Sequence, residues 1–475
     1  MLPACVLSSI GAYARIPWVS CARGCSPMSV VTKDVVAKYL QGYAEPESTL
    51  GRRLDRPTDH ILVIPAQDES SSFMEGIQPA LSAVSARGGR ALCIVVVNAT
   101  DAHDPGVHAR NEALVETLKG YSHAVPLHGP DETPCWYAEV EGFDLVVLDR
   151  NSKGHCLPSR EGVGLARKIG CDVALAAIRS GSSRAELIHM SDCDVRLPSD
   201  YFGVTIPASS AAVVYRFFHE PCGEPAVDEA HARYEAYLRY YLLGLRHAGS
   251  AYGFHTIGSC IAMEPVAYAA VRGVPKREAG EDFYLLNKLA KVGRIHTAVS
   301  APIAIRARTS LRVPFGTGRA TYEIAKDTEA YRIYDPRVFE LLKVWLEAFV
   351  VFDDASPGGA YETVYRLVAS AVEPHDRDRL RDASFSVDAP KALREAAAHN
   401  AESAVRRKWR HDWFDAFRTL KFVHALRDAG LVDVPWRQAI ADASFCRSSN
   451  TGGGQSKVND MESFELCRRL ATLEE

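Results

Sequence analysis

The chain has 475 residues, with ordinary hydrophobic (47%) and charged (24%) fractions and a formal net charge of −4. This length allows two or three domains with a sizeable buried core, and the charge provides no basic surface for nucleic acid. The 12 cysteines include no C-x-x-C pair and no cluster with zinc spacing, which favours a reduced, cytoplasmic setting. No apolar run approaches the ~18 residues of a membrane-spanning helix, so we expect no integral membrane segment.

Residues 1–58 are predicted to be an N-terminal extension, disordered at first and then helical. The first 27 residues are mildly apolar but lack the basic start and the long apolar centre of a signal peptide. A disordered extension accounts for them, and so does a start of translation at Met28 instead of Met1.

Alternating strand and helix signals predict an α/β domain over residues 59–320. Short apolar runs bounded by polar residues predict strands at 60–64, 91–97, 143–148, 186–190 and 211–217. Apolar residues at helical spacing predict helices at 71–86 and 162–178. This order is typical of a mostly parallel sheet flanked by helices. Residues 101–141 form a polar insertion between the second and third strands.

Polar side chains follow four of these strands, namely Asp68, Asn98, Asp149 and Asp192. In open α/β sheets, ligands bind just beyond the carboxyl ends of the strands. We therefore expect these four side chains to gather on one rim of the sheet and to contribute to a binding site.

The sequence changes character after about residue 321. An apolar helix is predicted at 338–352, and a long helical stretch at 395–429 ends at Gly430. We therefore predict an α-helical region over residues 321–445. A flexible tail is predicted over residues 446–475, which contain three consecutive glycines at 452–454.

The triplet Asp192-Cys193-Asp194 stands where the fourth predicted strand ends. Residues i and i+2 of an extended segment point to the same side, so the two carboxylates suit a hard divalent cation such as Mg²⁺ or Mn²⁺. Such an ion can bridge a diphosphate and neutralise the charge that builds on a leaving group. His255 is a candidate third metal ligand, with a polar core histidine as the alternative.

Glu281 and Asp282 open a predicted helix directly after Gly280. Acidic residues in a first turn stabilise the positive end of the helix dipole, and a carboxylate in this place can also take a proton from an acceptor hydroxyl. The two roles are compatible, so both residues are catalytic candidates.

A basic cluster of Arg306, Arg308 and Arg312 precedes Gly316 and Gly318. Arginines suit bidentate contact with phosphates, and glycines allow the backbone to approach a ligand closely. The cluster predicts a diphosphate contact or, alternatively, a solvated basic loop.

Taken together and in this order, five motifs resemble those of a family 2 glycosyltransferase of the GT-A fold, the fold of nucleotide-diphospho-sugar transferases. The motifs are Ile64-Pro65-Ala66-Gln67-Asp68-Glu69, Val95-Val96-Val97-Asn98-Ala99-Thr100-Asp101, the helix over 162–174, Ser191-Asp192-Cys193-Asp194 and Gly280-Glu281-Asp282. The resemblance covers residues 59–320, about half of the chain. In the second motif, Asn98 stands where an aspartate commonly meets the nucleotide base.

The resemblance implies a metal-dependent, inverting transfer of a sugar from a nucleotide-diphosphate donor to an acceptor hydroxyl. Asp194, helped by Asp192, would hold Mg²⁺ or Mn²⁺ on the diphosphate, and Asp282 beside Glu281 would deprotonate the acceptor. The residues implied to contact the nucleotide sugar are Pro65, Ala66, Asp68, Glu69, Asn98, Asp149, Arg167, Asp192, Arg306, Arg308 and Arg312.

Two other functions stay open. A sugar-phosphate nucleotidyltransferase shares a related α/β fold, but it needs a glycine- and basic-rich loop after the first strand, where this chain has Gln67-Asp68-Glu69-Ser70. A non-catalytic sugar-nucleotide-binding protein would have no need for Asp192, Asp194 and Asp282 together.

Overall fold

The computed structural model describes residues 29–54, 56–121, 124–298, 300–308, 316–327, 331–354, 359–398, 402–447, 458 and 461–474. The first 28 residues, Arg312 and the glycines at 452–454 lie outside the described residues. The chain divides into two compact units. The first draws on Met1–Glu220, Thr256–Arg306 and Ser310–Ala320, and the second on Pro221–His255, Ala307–Thr309 and Thr321–Glu475.

The regular elements of the described residues are numbered here in chain order. The strands are β1 (His60–Ala66), β2 (Ala91–Asn98), β3 (Val125–His128), β4 (Pro134–Val140), β5 (Phe143–Arg150), β6 (Ile188–Met190), β7 (Val195–Arg196), β8 (Ser210–Val214), β9 (Phe217–Glu220), β10 (Ile261–Met263), β11 (Arg294–Thr297), β12 (Ile303–Arg306), β13 (Arg332–Ile333) and β14 (Val434–Pro435). The α-helices are α1 (Ser29–Gly42), α2 (Phe73–Ala86), α3 (Pro105–Lys119), α4 (Gly162–Ser180), α5 (Pro225–His247), α6 (Pro265–Ala270), α7 (Glu281–Leu289), α8 (Thr317–Lys326), α9 (Arg337–Phe349), α10 (Ala360–Ala371), α11 (Pro374–Ser386), α12 (Ala389–Ala398), α13 (Ser403–Trp413), α14 (Ala416–Asp428), α15 (Trp436–Asp442) and α16 (Ser463–Thr472).

The first unit is built on a sheet to which the described residues contribute nine strands, in the order β11-β8-β10-β6-β1-β2-β5-β4-β3. β1 lies parallel to both β2 and β6, and β2 lies parallel to β5. A smaller sheet has the order β7-β12-β9. The α/β class predicted from the sequence is therefore confirmed.

The large sheet is mixed, which corrects the prediction of a mostly parallel one. β10 runs antiparallel to both of its neighbours, β6 and β8. β3, β4 and β5 form an antiparallel meander at one edge. The predicted insertion at 101–141 supplies α3, β3 and β4, so its length reflects an added helix and two added strands.

Helix α4 crosses the sheet at close range and is buried from Gly164 to Ala177. A Cβ atom at Gly170 would lie 2.4 Å from Cγ1 of Val63 on β1, so the absence of a side chain lets the helix approach the strand. Lys168 on this helix is buried, and its Nζ donates to Oδ2 of Asp172 at 2.7 Å. The charge of Lys168 is therefore held inside the first unit and not on the surface of α4.

The second unit is helical, as predicted for residues 321–445. Its core includes the fully buried Trp345, whose ring contacts those of Phe349 and Phe422. The tyrosines of α5 belong to the same core, where the hydroxyl of Tyr240 donates to the backbone oxygen of Tyr334 at 2.8 Å. Because α5 contributes to this core, residues 221–255 belong to the helical unit and not to the predicted domain over 59–320.

Two predicted segments of the second unit differ in the structure. The long helical stretch at 395–429 is divided, because α13 ends at Trp413 and the side chain of Asp415 caps a new helix by accepting the N–H of Arg418 at 3.0 Å. Part of the predicted flexible tail is the helix α16, which buries Leu466 and Leu470. Its apolar face packs on α5. This packing stabilises α16, which is too short to be stable as an isolated helix.

None of the helices among the described residues has both the length and the apolar character needed to span a bilayer.

Candidate active site

The carboxyl ends of β1, β2, β5 and β6 meet at one edge of the sheet because these four strands are parallel. From β1 the chain continues in one direction to β2 and β5, whereas β6 lies on the other side of β1. Such a change of direction marks a topological switch point, where open α/β sheets bind ligands. The segments that start at Gln67 and Ser191 border this point.

The acidic triplet lies directly beyond β6. Cys193 is buried, whereas Asp192 and Asp194 on either side of it are partly exposed. The backbone oxygen of Asp194 accepts the N–H of Arg306 at 2.7 Å, which fixes the triplet to β12. Both carboxylates are thus accessible, but Cys193 and Asp194 form a turn between β6 and β7 and not the extended segment on which the i, i+2 prediction depended.

Arg167 of α4 lies beneath this triplet with only 5% of its side chain exposed. Its Nη2 donates to Oδ1 of Asp192, and its Nη1 donates to Oε1 of Glu281 at 2.7 Å. Burial acts to lower the pKa of Arg167, but the nearby carboxylates, Asp192 foremost, outweigh it and raise that pKa above its ordinary value. The guanidinium therefore carries its charge at every physiological pH.

Glu281 and Asp282 begin helix α7 after Gly280, which has a left-handed backbone with φ of 70°. Glu281 is buried, whereas Asp282 is partly exposed. Oδ1 of Asp282 accepts the N–H of Phe283 at 2.7 Å. The predicted acidic first turn is thus present, and Asp282 is its more exposed member.

Burial raises the pKa of both carboxyl groups in this turn. For Glu281 the pKa rises to about 7, although the guanidinium of Arg167 opposes the shift. For Asp282 the pKa also rises, and the opposing influences are Arg167 and the backbone N–H groups. Carboxyl groups whose pKa values are raised in this way suit proton transfer near neutral pH.

Two glycines allow these elements to approach one another. A Cβ atom at Gly164 would lie 2.4 Å from the backbone oxygen of Pro275 and 2.6 Å from the nitrogen of Arg277, in the loop that leads to α7. A Cβ atom at Gly258 would lie 1.8 Å from Nη1 of Arg167. No pattern in the sequence singles out Gly258, because its partner is far away along the chain.

Asn98 at the end of β2 is buried and is used to hold the rim together. Its Nδ2 donates to the backbone oxygens of Ala66 and Val96, both at 3.1 Å, and its own backbone oxygen accepts from Asn111. Asn111 also accepts the backbone N–H of Asp68 at 2.8 Å. Asn111 is therefore a rim residue that the sequence did not reveal.

Other predicted nucleotide contacts divide into buried and accessible positions. Pro65 and Ala66 are buried in β1, whereas Asp68 and Glu69 beyond it are partly exposed. The carboxylate of Asp68 pairs with Arg110. Asp149 is buried, and its Oδ1 accepts the N–H groups of Asn151 and Ser152 at 2.8 and 2.9 Å, so this carboxylate caps the turn after β5.

The predicted basic cluster and the predicted third metal ligand have different surroundings. Arg306 is exposed at the end of β12, in the first unit. Arg308 and His255 belong to the second unit. There the backbone N–H of Arg308 donates to His231 at 3.1 Å, and Nε2 of His255 lies 3.2 Å from both carboxylate oxygens of Glu474.

A set of three metal ligands is not assembled. Within the part of the chain that the structure describes, no group of three or more His, Cys, Asp or Glu side chains is placed to hold a metal ion. The predicted trio of Asp192, Asp194 and His255 is corrected accordingly, because the histidine is engaged by Glu474. The carboxylates at the rim that could contact a cation are those of Asp192 and Asp194.

Comparison with known proteins adds no assignment, since no protein-family model and no curated protein matches this chain. A function has to be inferred from the geometry of this site.

Proposed function

We propose that this chain is a glycosyltransferase of the GT-A fold that moves a sugar from a nucleotide-diphosphate donor to an acceptor hydroxyl, with inversion and with Asp282 as the general base. One observation carries the proposal. Arg167 bonds to Asp192 after β6 and to Glu281 at the start of α7, so the acidic triplet and the acidic turn belong to a single site at the ligand-binding edge of the sheet.

The order of the strands supports the proposed fold. If β3 and β4 of the insertion are set aside together with the small sheet, seven strands remain, in the order β5-β2-β1-β6-β10-β8-β11. Counted along the chain, that order is 3-2-1-4-6-5-7, and strand 6 is antiparallel to both of its neighbours. The arrangement supports a nucleotide-binding α/β domain, because it places a switch point, where open α/β sheets bind their ligands, next to the acidic triplet.

The two rim carboxylates fit a divalent cation. Mg²⁺ is usually bound through one or two carboxylates, with water and substrate phosphates completing its shell, so a third protein ligand is not required. Asp194 and Asp192 would hold the ion, with one oxygen of Asp192 already given to Arg167. When bound, the ion supplies positive charge to the diphosphate leaving group.

Asp282 has the geometry of a general base. Its carboxylate accepts the backbone N–H of Phe283, and the residue stays partly exposed. In the proposed reaction the acceptor hydroxyl donates its proton to Asp282 while its oxygen forms a bond with the anomeric carbon. The bond from that carbon to the diphosphate oxygen breaks, and the electron pair leaves with the diphosphate. Arg306, exposed at the end of β12, is a candidate contact for that leaving group.

The nucleotidyltransferase alternative is less well supported by the loop after β1. That loop carries Gln67, Asp68 and Glu69. Its two charged side chains are both negative, and that of Asp68 pairs with Arg110. A loop that receives a nucleoside triphosphate needs backbone and cationic donors there. A non-catalytic binding protein would explain the rim carboxylates but not the raised pKa values of the acidic turn beside them.

The test is a titration of the full chain with a panel of nucleotide sugars, with and without Mn²⁺. We expect Mn²⁺-dependent thermal stabilisation by at least one donor, followed by release of its nucleoside diphosphate when an acceptor is present. Asp194→Asn should abolish the stabilisation, whereas Asp382→Asn, an exposed carboxylate of the helical unit, should not. Thermal stabilisation by a donor without any metal would contradict the proposal. So would an Asp282→Asn variant that binds the donor and still transfers the sugar at the wild-type rate.

A further inference from the structure

A single buried guanidinium joins the two halves of the candidate site. Arg167 donates through Nη2 to Asp192 on the metal side and through Nη1 to Glu281, at 2.7 Å, on the side of the base. Only 5% of its side chain is exposed. An arginine that grips a phosphate must present its N–H donors to the ligand, and here one donor of each terminal nitrogen is already used inside the protein.

We infer that Arg167 is a positioning residue that sets the placement of Asp192 relative to the Glu281–Asp282 turn, and that it does not contact the nucleotide sugar. The assignment of Asp192 to metal binding and of the Glu281–Asp282 turn to proton transfer rests on the proposed function. The sharing of one guanidinium between Asp192 and Glu281 does not depend on that function. The inference changes the role expected for Arg167 from the sequence, where the family resemblance implied a donor contact.

Gly258 makes this sharing possible. A Cβ atom at this position would lie 1.8 Å from Nη1 and 2.6 Å from Cζ of Arg167, so the guanidinium lies directly against the backbone of Gly258. A displacement of Arg167 is passed to Asp282 through Glu281, which precedes it in the chain and bonds to Nη1 of Arg167.

Charge gives the second reason for a shared cation. Asp192, Glu281 and Asp282 all raise the pKa of Arg167, which means that all three carboxylates are stabilised by its charge in return. Glu281 is buried with 5% of its side chain exposed, and a buried carboxylate without its partner is strongly destabilising. Without Arg167, the acidic turn and the triplet would repel each other.

Kinetics and metal binding separate positioning from donor contact. In Arg167→Met we expect kcat to fall about 100-fold, since misplacement of a catalytic group by about 1 Å costs that much, while KM for the donor changes less than about threefold. The affinity for Mn²⁺ alone, followed by the electron paramagnetic resonance of free Mn²⁺, should be kept or increased, because Asp192 is released from the guanidinium. A donor contact would instead raise KM at least about tenfold with kcat kept, which would overturn the inference.

Four further variants guard against misfolding. Arg167→Lys keeps the charge, but its single ammonium cannot make two separate bonds from a planar fork, so it should lose kcat like Arg167→Met. Gly258→Ala should reproduce the loss by displacing the guanidinium without removing it. Gly203→Ala is the matched control, because nothing lies within 4 Å of the added carbon, and Arg184→Met, which breaks a surface pair with Asp59, controls for loss of an arginine.

A double-mutant cycle tests the sharing itself without any need for turnover. Asp192→Asn and Glu281→Gln should shift the urea midpoint of unfolding non-additively in the wild-type chain, because each neutralisation leaves Arg167 more dependent on the other partner. The non-additive part should shrink in the Arg167→Lys background. Additive shifts in the wild-type chain would overturn the inference. If the shifts are non-additive but the chain turns over no sugar nucleotide, only the proposed function is overturned.

Discussion

The side-chain amide of Asn98 donates to the backbone oxygen of Ala66 at 3.1 Å and thereby ties the carboxyl end of β2 to that of β1. A second bond of the same length joins it to the backbone oxygen of Val96. Both donors of the amide are thus used within the rim, in the place where the family resemblance expects an aspartate that meets a nucleotide base. In this chain the residue acts on the geometry of the rim.

The substitution Asn98→Asp should therefore destabilise the protein, although it would restore the residue type that the family motif commonly has. Two buried carbonyl groups would lose their donor and face a carboxylate, which should cost about 2 kcal/mol or more. Urea unfolding at pH 7 measures this loss, and it should shrink near pH 4, where a protonated carboxyl can donate one bond again. Wild-type stability together with tighter nucleotide binding would instead show that the side chain reads the base.

The two rim aspartates should differ in their importance for metal binding. One oxygen of Asp192 is given to Arg167, and the family resemblance assigns the direct metal contact to Asp194. We expect Asp194→Asn to weaken Mn²⁺ binding by about tenfold or more and Asp192→Asn by less, as outer partners of metal sites usually tune affinity and do not create it. Isothermal calorimetry with MnCl₂ provides the comparison, and the reverse ranking would make Asp192 the principal ligand.

The acidic turn should make stability fall as the pH rises. Burial raises the folded-state pKa of Glu281 from its ordinary 4.5 to about 7, so between these values the folded chain holds a proton that the unfolded chain has lost. Stability from this group is complete below about pH 4.5 and is lost as the pH approaches about 7.

Urea midpoints of the wild type between pH 4.5 and 7.5 should consequently decrease more steeply than those of Glu281→Gln, which has no proton to lose. Glu116→Gln, an exposed glutamate of α3, serves as the matched control and should follow the wild-type slope. Equal slopes for the wild type and Glu281→Gln would show that burial does not hold a proton on this residue.

Glu474 should contribute to the second unit in the opposite direction of pH. Its buried carboxylate bonds to Arg239 at 3.0 Å and lies 3.2 Å from Nε2 of His255. Burial acts to raise the pKa of Glu474, but the bonds to His255 and Arg239 outweigh it and lower that pKa below its ordinary value. Stability from this group is therefore present above its unfolded pKa of about 4.5 and is lost as the pH falls through the folded value.

Glu474→Ala should reduce the unfolding free energy by about 3 kcal/mol at pH 7, because it leaves the buried Arg239 with one partner fewer. The loss should become smaller in acid. Guanidinium chloride unfolding at pH 7 and pH 4 measures both, and Glu465→Ala on the exposed side of α16, the helix that precedes Glu474, should change little. If Glu474→Ala were as harmless as the control, the carboxylate of Glu474 would contribute nothing to the stability of the second unit.

The sequence by itself determined the features that depend on neighbours a few residues apart. The sequence predicted the apolar runs of β1, β2, β5 and β6, the helical spacing of α4 and the place of the acidic triplet directly after β6, because strand and helix periods are local. The acidic first turn of α7 was predicted for the same reason.

Tertiary structure alone decided which of these features meet. Arg167 and Glu281 are 114 residues apart along the chain, and Cys467 of α16 bonds to a backbone oxygen 235 residues away in α5. No local period encodes such separations. For this reason the sequence predicted a nucleotide-sugar contact for Arg167 and a flexible tail where α16 is found. Burial, which depends on everything packed around a group, decided that Asn98 holds the rim, that Arg167 joins Asp192 to Glu281 and that Asp282 is more exposed than Glu281.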